Sequence, residues 1–305
     1  MNDTGRHHRA WLGYALITVV LWGVWGAFSG LSSQHGFPDT LVYCVWALTM
    51  ILPAVVVLRM AAWHLDRTPR AVAYGLTIGL LGAGGQMVLF YALARGPAYL
   101  IFPVISLSPV VTIAMSFALM GERTGRLGAI GIALALLALP TFDFAPGGSG
   151  GSSAAWLIPA IVIMLCWGVQ AYYMKAANHV MSAESIFVYM TISALLLVPA
   201  AVVMTDYTQP INWSISGPWL AALIQILNAI GGLALVFAFR YGKAIIVAPL
   251  SNAGAPLATA LISLAVLGLV PGPIKAAGIA LALVASLLLA IEPDTDGAEP
   301  TAAAA

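Results

Sequence analysis

The sequence predicts an all-α integral membrane protein: ten transmembrane helices in two inverted five-helix repeats, with both termini in the cytoplasm. Three observations lead to that class. Of the 305 residues, 61% are hydrophobic and only 8% charged, against roughly half and about a quarter in soluble domains. Water cannot solvate so much apolar surface, so lipid is the expected solvent. The hexapeptide GIALAL occurs at Gly131–Leu136 and again at Gly278–Leu283, marking a repeat that runs through the chain. Finally, Lys and Arg are concentrated in alternate loops between the apolar runs.

The repeat spacing is 145 to 147 residues. Trp11 with Trp22-Gly23 recurs as Trp156 with Trp167-Gly168, and Asp39 recurs as Glu184. Gly84-Gly85 returns as Gly231-Gly232, and Gly96 with Pro103 returns as Gly242 with Pro249.

A spanning helix needs about 20 mostly apolar residues. Gly, Pro and charge divide the chain into ten such runs. Arg6 and Arg9 precede the first, Trp11–Gly30, which is too long for the core of a signal peptide and is expected to remain as a helix. Next come Thr40–Leu58, Ala71–Ala92 and Ala98–Met120, then the short run Leu127–Thr141, interrupted by Pro140. Ala145–Ser153 is Gly/Ser-rich and reads as a flexible linker. The second set is Ala154–Met174, Ser185–Met204, Trp219–Phe239, Ala244–Leu267 and Pro273–Ile291. The two repeats thus cover residues 11–142 and 154–291.

Basic residues in short loops set orientation. With the N-terminus inside, the cytoplasmic face receives Arg6, Arg9, Arg59, Arg67, Arg70, Arg123, Arg126, Lys175, Arg240 and Lys243, and the opposite face only Arg95 and Lys275. Five spans is an odd number, so the second repeat is expected to enter the membrane inverted. The acidic tail (Glu292, Asp294, Asp296, Glu299) reads as disordered and weighs little on topology.

These features resemble the drug/metabolite transporter superfamily in its EamA-type branch, over roughly residues 10–292. The resemblance rests on ten runs in two sets of five and on the Trp-Gly of each first helix. A Pro-bearing fourth helix ending in Met120-Gly121-Glu122-Arg123 and a Gly- and Ala-rich fifth helix add to it. The second copy departs from the pattern, with Gly268-Leu269 in place of the Gly-Glu ending. The resemblance implies movement of a small organic solute across a membrane, and a multi-pass place in a plasma membrane such as the bacterial inner membrane.

Candidate machinery follows from residue chemistry. Pro103 and Pro109 in the fourth run pair with Pro249 and Pro256 in the ninth. Each removes a backbone donor and frees the carbonyl four residues earlier, at Tyr99, Ile105, Ile245 and Asn252. In lipid a freed carbonyl needs a protein or water partner. Ser106, Ser108, Ser251 and Asn252 cluster there, and Ser106 and Asn252 are repeat mates. Broken helices near the midplane are a common way to build a solute site, and kinks made purely for packing are the other reading. The latter fits Pro53 and Pro199, which lack polar neighbours.

Gln225 and Asn228 share one face of the eighth run, Gln86 adjoins Gly84-Gly85, and Gln170 shares a face with Trp167. These amides could join helices or bind a solute. Trp22 and Trp167 lie deep in their helices beside a glycine, either as core packing or as an aromatic wall for a flat or cationic solute. Trp11, Trp156, Tyr172, Tyr173 and Trp219 sit where interfacial anchors belong. Gly75 and Gly79 suit a tight helix contact.

Other functions have less support. A net charge of +1 gives no footprint for nucleic acid. Cys44 and Cys166 lie in apolar runs without ligand spacing and read as packing residues, and no cofactor or metal is implied. The five histidines are in loops and the N-terminal tail, so no span carries a nucleophile–base or metal pattern for an intramembrane enzyme. Neither a charge ring nor a carbonyl filter for a channel is visible. No Asp, Glu, Lys, Arg or His sits in the middle third of a span. The expectation is therefore a facilitator or exchanger of a neutral or zwitterionic solute, monomeric or homodimeric, with no proton-coupling carboxylate at the midplane. A lipid flippase of the same fold is the alternative.

Overall fold

A computed structural model describes residues 4–120, 126–143, 155–177, 180–241, 244–268 and 270–291. All regular structure among these residues is helical. The first run forms α1 (Thr4–Phe28), followed by the short α2 (Leu31–Gln34). The second forms α3 (Asp39–Thr49) and α4 (Ile51–Met60), and the third α5 (Pro69–Leu93). The fourth is split into α6 (Ala98–Ile105) and α7 (Ser108–Met120), and the fifth is α8 (Arg126–Asp143). After these come α9 (Leu157–Ala177), α10 (Ala183–Leu196) and α11 (Val198–Val203). A π-helical turn, Ile215–Trp219, leads into α12 (Leu220–Tyr241), and α13 (Ala244–Leu267) and α14 (Pro273–Ile291) complete the chain. Six stretches among the described residues are long and apolar enough to cross a membrane: Trp11–Gln34, Asp39–Met60, Pro69–Leu93, Leu157–Met174, Ala183–Val203 and Ile215–Leu235. They correspond to the first three runs of each set. The linker Ala145–Ser153, the Gly121-Glu122-Arg123 ending and the acidic tail lie outside the described residues.

Proline chemistry accounts for the helix breaks. Pro53 cannot donate to Thr49, and α3 ends at Thr49; Pro199 cannot donate to Leu195, and α10 ends one residue later at Leu196. In the fourth run the break falls at Ser106-Leu107, between Ile105, whose carbonyl Pro109 frees, and Pro109 itself. The ninth run behaves differently. Despite Pro249 and Pro256, α13 runs from Ala244 to Leu267 without interruption, so a helix broken in each repeat is not what forms. Spacing gives the reason. Pro249 and Pro256 are seven residues apart, nearly two full turns, so both distort the same face and the helix can bend as a unit. Pro103 and Pro109 are six apart and strain different faces.

Packing exchanges partners between the halves of the chain. α1 lies against α12 and α13, α9 against α5 and α7, and α14 against α8. Gly75 and Gly79 face Tyr189 and Ser193 of α10, the tight contact expected of that pair. Phe37, Tyr43, Ile78, Leu89, Phe90, Ile101, Leu107 and Ile163 are fully buried, while Leu12, Leu16, Val20, Leu52, Leu165 and Leu223 face outward, where lipid would meet them.

Candidate functional site

Several of the predicted polar and aromatic residues fall into two groups, each joining the two halves of the chain. In the first group Trp22 and Trp25 reach from α1, and Trp46 from α3, to α12. The Trp22 indole donates to the Asn228 backbone carbonyl over 3.1 Å, and the Trp46 indole donates to the Asn228 side-chain oxygen over 2.9 Å. Trp25 donates to Gln225 Oε1 over 2.7 Å. Trp22 can approach so closely because Gly231 lacks a side chain: a Cβ there would stand 2.5 Å from the indole Cδ1.

The second group repeats the first on α9 and α5. Trp167 donates to the Gly82 carbonyl over 3.4 Å, and a Cβ on Gly85 would lie 2.5 Å from its Nε1. Gln170, the mate of Trp25, donates to the Ile78 carbonyl over 3.1 Å. Position 78 is the mate of Gln225, so both halves use the same site, once side chain to side chain and once side chain to backbone.

Two hydroxyls not singled out from the sequence complete this arrangement. Thr112 of α7 donates to the Gly168 carbonyl over 2.8 Å, and Thr259 of α13 donates to the Gly23 carbonyl over 3.2 Å. Thr112 and Thr259 are 147 residues apart, as are the two copies of GIALAL. The repeat spacing was the available signal, but apolar neighbours on both sides hid it.

At the break in the fourth run, Leu107 N–H bonds to Val104 in a 3₁₀ turn, so the Pro103 carbonyl loses its helical partner. The buried Ser106 hydroxyl supplies a replacement at 2.7 Å. Here the polar residue beside the proline satisfies the backbone directly. Ser108 presents its carbonyl toward Gly168. Pro103 and Pro256 are buried, whereas the side chains of Pro109, Pro249 and Asn252 lie outside the described residues.

Some capacity for hydrogen bonding remains. Gln225 is fully buried, and its Nε2 has no partner among the described residues. The same holds for Gln86 Nε2 and Ser251 Oγ, both in nearly buried side chains. Buried donors without acceptors cost about 1–3 kcal/mol each, so an arriving acceptor would gain at these three, as it would at the hydroxyls of Ser32, Ser193 and Ser263, which are in the same state. Outside these groups, an open groove of about 630 Å³ at the start of α12 is lined by Ser214, Ile215, Ser216, Trp219, Leu220 and Leu223. It takes in none of the predicted site residues. Among the described residues no cluster of His, Cys, Asp and Glu could hold a metal ion.

Comparison with known proteins fits this architecture. The model of the EamA-like transporter family matches the chain twice, at residues 9–140 and 154–291. No curated protein matches at a significant level. Among solved structures, 23 chains match significantly. One crystal structure, described only as that of a protein, is 19% identical with a TM-score of 0.61, covering 91% of this chain and 96% of its own. That likeness shows a shared fold.

Proposed function

Because the chain belongs to the EamA-like transporter family, and so is a membrane transporter of the drug/metabolite type, we propose that it carries a small neutral or zwitterionic organic solute by alternating access, as a facilitator or exchanger. The observation that carries this reading is chemical. No apolar run carries Asp, Glu, Lys, Arg or His in its middle third, where several hold amides, hydroxyls or indoles, and carriers coupled to protons place an ionisable group there. We take Gln86, Gln225 and Ser251 as the solute's hydrogen-bond donors, since the donors of Trp22, Trp167 and Gln170 already have protein acceptors.

The proposed architecture is ten spans in two inverted repeats, with both termini in the cytoplasm. It is supported by the doubled family match, by the ten-to-two division of basic residues and by the way Trp22 of α1 bonds to a backbone carbonyl of α12 as Trp167 of α9 bonds to one of α5. A thermal-shift screen of purified protein against amino acids, sugars, nucleobases and cationic dyes tests the reading, followed by uptake of each hit into proteoliposomes. Hits are expected to be neutral or zwitterionic, with uptake independent of a pH gradient and weakened by Gln225→Leu. Uptake that requires a proton gradient would overturn it. Movement of fluorescent lipids in the same vesicles, without solute uptake, would favour a flippase.

A further inference from the structure

Besides the Thr40–Thr205 hydroxyl contact at 2.7 Å, two polar ties join the halves of the chain at the ends of the helix bundle, and they use corresponding loops of the two repeats. Asp66, in the loop between α4 and α5, accepts the Ser182 N–H over 2.8 Å and the Ser182 hydroxyl over 2.9 Å on one carboxylate oxygen. The Asp66 N–H donates to the Ser185 hydroxyl over 3.0 Å, and the Tyr189 hydroxyl donates to the Asp66 carbonyl over 2.8 Å. The position 146 residues on is Asn212, before the π-helical turn that leads into α12. Asn212 donates its backbone N–H to the Gly36 carbonyl over 3.0 Å and its side-chain Nδ2 to the His35 carbonyl over 2.8 Å. By the 145-residue spacing of Asp39 and Glu184, Gly36 corresponds to Met181, the neighbour of Ser182. Each tie therefore fastens the loop before helix three of one repeat to the loop before helix two of the other.

The two ties are separated by a single crossing, α3–α4, between the 29–38 loop and the 61–68 loop, so they belong to opposite faces of the membrane. They also differ in chemistry. One uses a carboxylate and the other only neutral groups. Hydrogen bonds to an ionised acceptor are about twice as strong as neutral ones. Helix packing behind them is unequal too: α5 meets α10 through Gly75 and Gly79, whereas α12 meets α3 through Trp46 and Asn228.

We propose that the Asp66–Ser182 and Asn212–His35/Gly36 ties are the two gate latches of the transport cycle, released alternately, and that the carboxylate latch holds its own face shut in the resting protein. This rests on the alternating-access reading above. The solute enters first from the Asn212 face, because that latch is the weaker.

Hydrogen–deuterium exchange of the full-length protein in lipid nanodiscs tests the latches without a known solute. Wild type is compared with Asp66→Ala, Asp66→Asn and Asn212→Ala. Opening the carboxylate latch is expected to speed exchange at residues 61–66 and 180–186 by about tenfold, and to slow it at 35–37 and 212–217. Asn212→Ala is expected to do the reverse, and Asp66→Asn to act in the Asp66→Ala direction more weakly. Should Asp66→Ala not yield folded protein, Asp66→Asn and Asn212→Ala carry the same comparison. Loosening confined to the mutated face in every variant, or loosening of both faces together, would overturn the alternating latches. Neither outcome touches the transporter reading, which stands or falls on uptake.

Discussion

Trp46 donates its indole N–H to the side-chain oxygen of Asn228 over 2.9 Å, and the backbone carbonyl of the same Asn228 accepts from Trp22 over 3.1 Å. One residue of α12 thus anchors both α1 and α3. That places Asn228 among the residues that hold the halves together, the first of the two roles open to an amide at this depth.

If so, Asn228→Leu strands the buried Trp46 indole and lowers stability by about 1–3 kcal/mol. Trp46→Phe in the same background removes the stranded donor and is expected to recover part of the loss. Thermal unfolding in detergent of the two single variants and the double reads the coupling. Strictly additive effects would mean that the bond contributes nothing.

The glycine pair on α5 offers a sharper contrast. A Cβ at Gly85 would meet the Trp167 ring at 2.5 Å, while a Cβ at Gly84 meets nothing within 4 Å. Gly85→Ala therefore overpacks the α5–α9 contact and is expected to cost about 1–3 kcal/mol. Gly84→Ala fills open space and gains helix propensity, up to about 1 kcal/mol. Melting temperatures that move together for the two variants would count against this packing.

Much of this was legible in the sequence. The repeat spacing, the runs and the helix-ending prolines each rest on local chemistry that tertiary packing did not override. The role of the aromatics was not legible, because Trp22 against Gly231 and Trp167 against Gly85 pair residues more than 80 positions apart across the halves. The unbroken α13 depends on the face that Pro249 and Pro256 share, which neither proline shows alone. Asp66 and Asn212 sit in short polar loops whose composition is ordinary. Only the 146-residue spacing connects them, and both lie outside the apolar runs.

Helix α4 closes in an unusual way. Trp63 N–H bonds to Leu58 and Ala62 N–H to Arg59, the Schellman pattern, with Ala62 at the position glycine normally fills. Its φ is +52°, in the left-handed region, whereas α13 ends with Gly268 at +60°. A non-glycine residue there costs about 1 kcal/mol or more, and glycine's own entropy returns roughly 0.5–1 kcal/mol of that. Ala62→Gly is expected to raise the melting temperature slightly or leave it unchanged. A clear fall would mean that the alanine methyl makes a contact worth more than the strain.

Asp66 makes stability depend on acid. The Ser182 backbone N–H bonded to its carboxylate, and then the Ser182 and Ser185 hydroxyls and the nearby His64, hold its carboxyl below the usual range against the opposing effect of burial. The His64 contact is long, at 3.6 Å, and its ring is exposed, so it adds little. A depressed folded-state pKa gives stability that is fully present above the unfolded value, about 3.9 for Asp. It is lost as pH falls through the folded value. Wild type is therefore expected to exceed Asp66→Asn in melting temperature by a constant margin between pH 5 and 8, and the margin to shrink as pH falls below about 4. Thermal unfolding across that range measures it. If the margin instead changed between pH 6 and 7, the titrating group would not be the carboxylate that fastens the two loops.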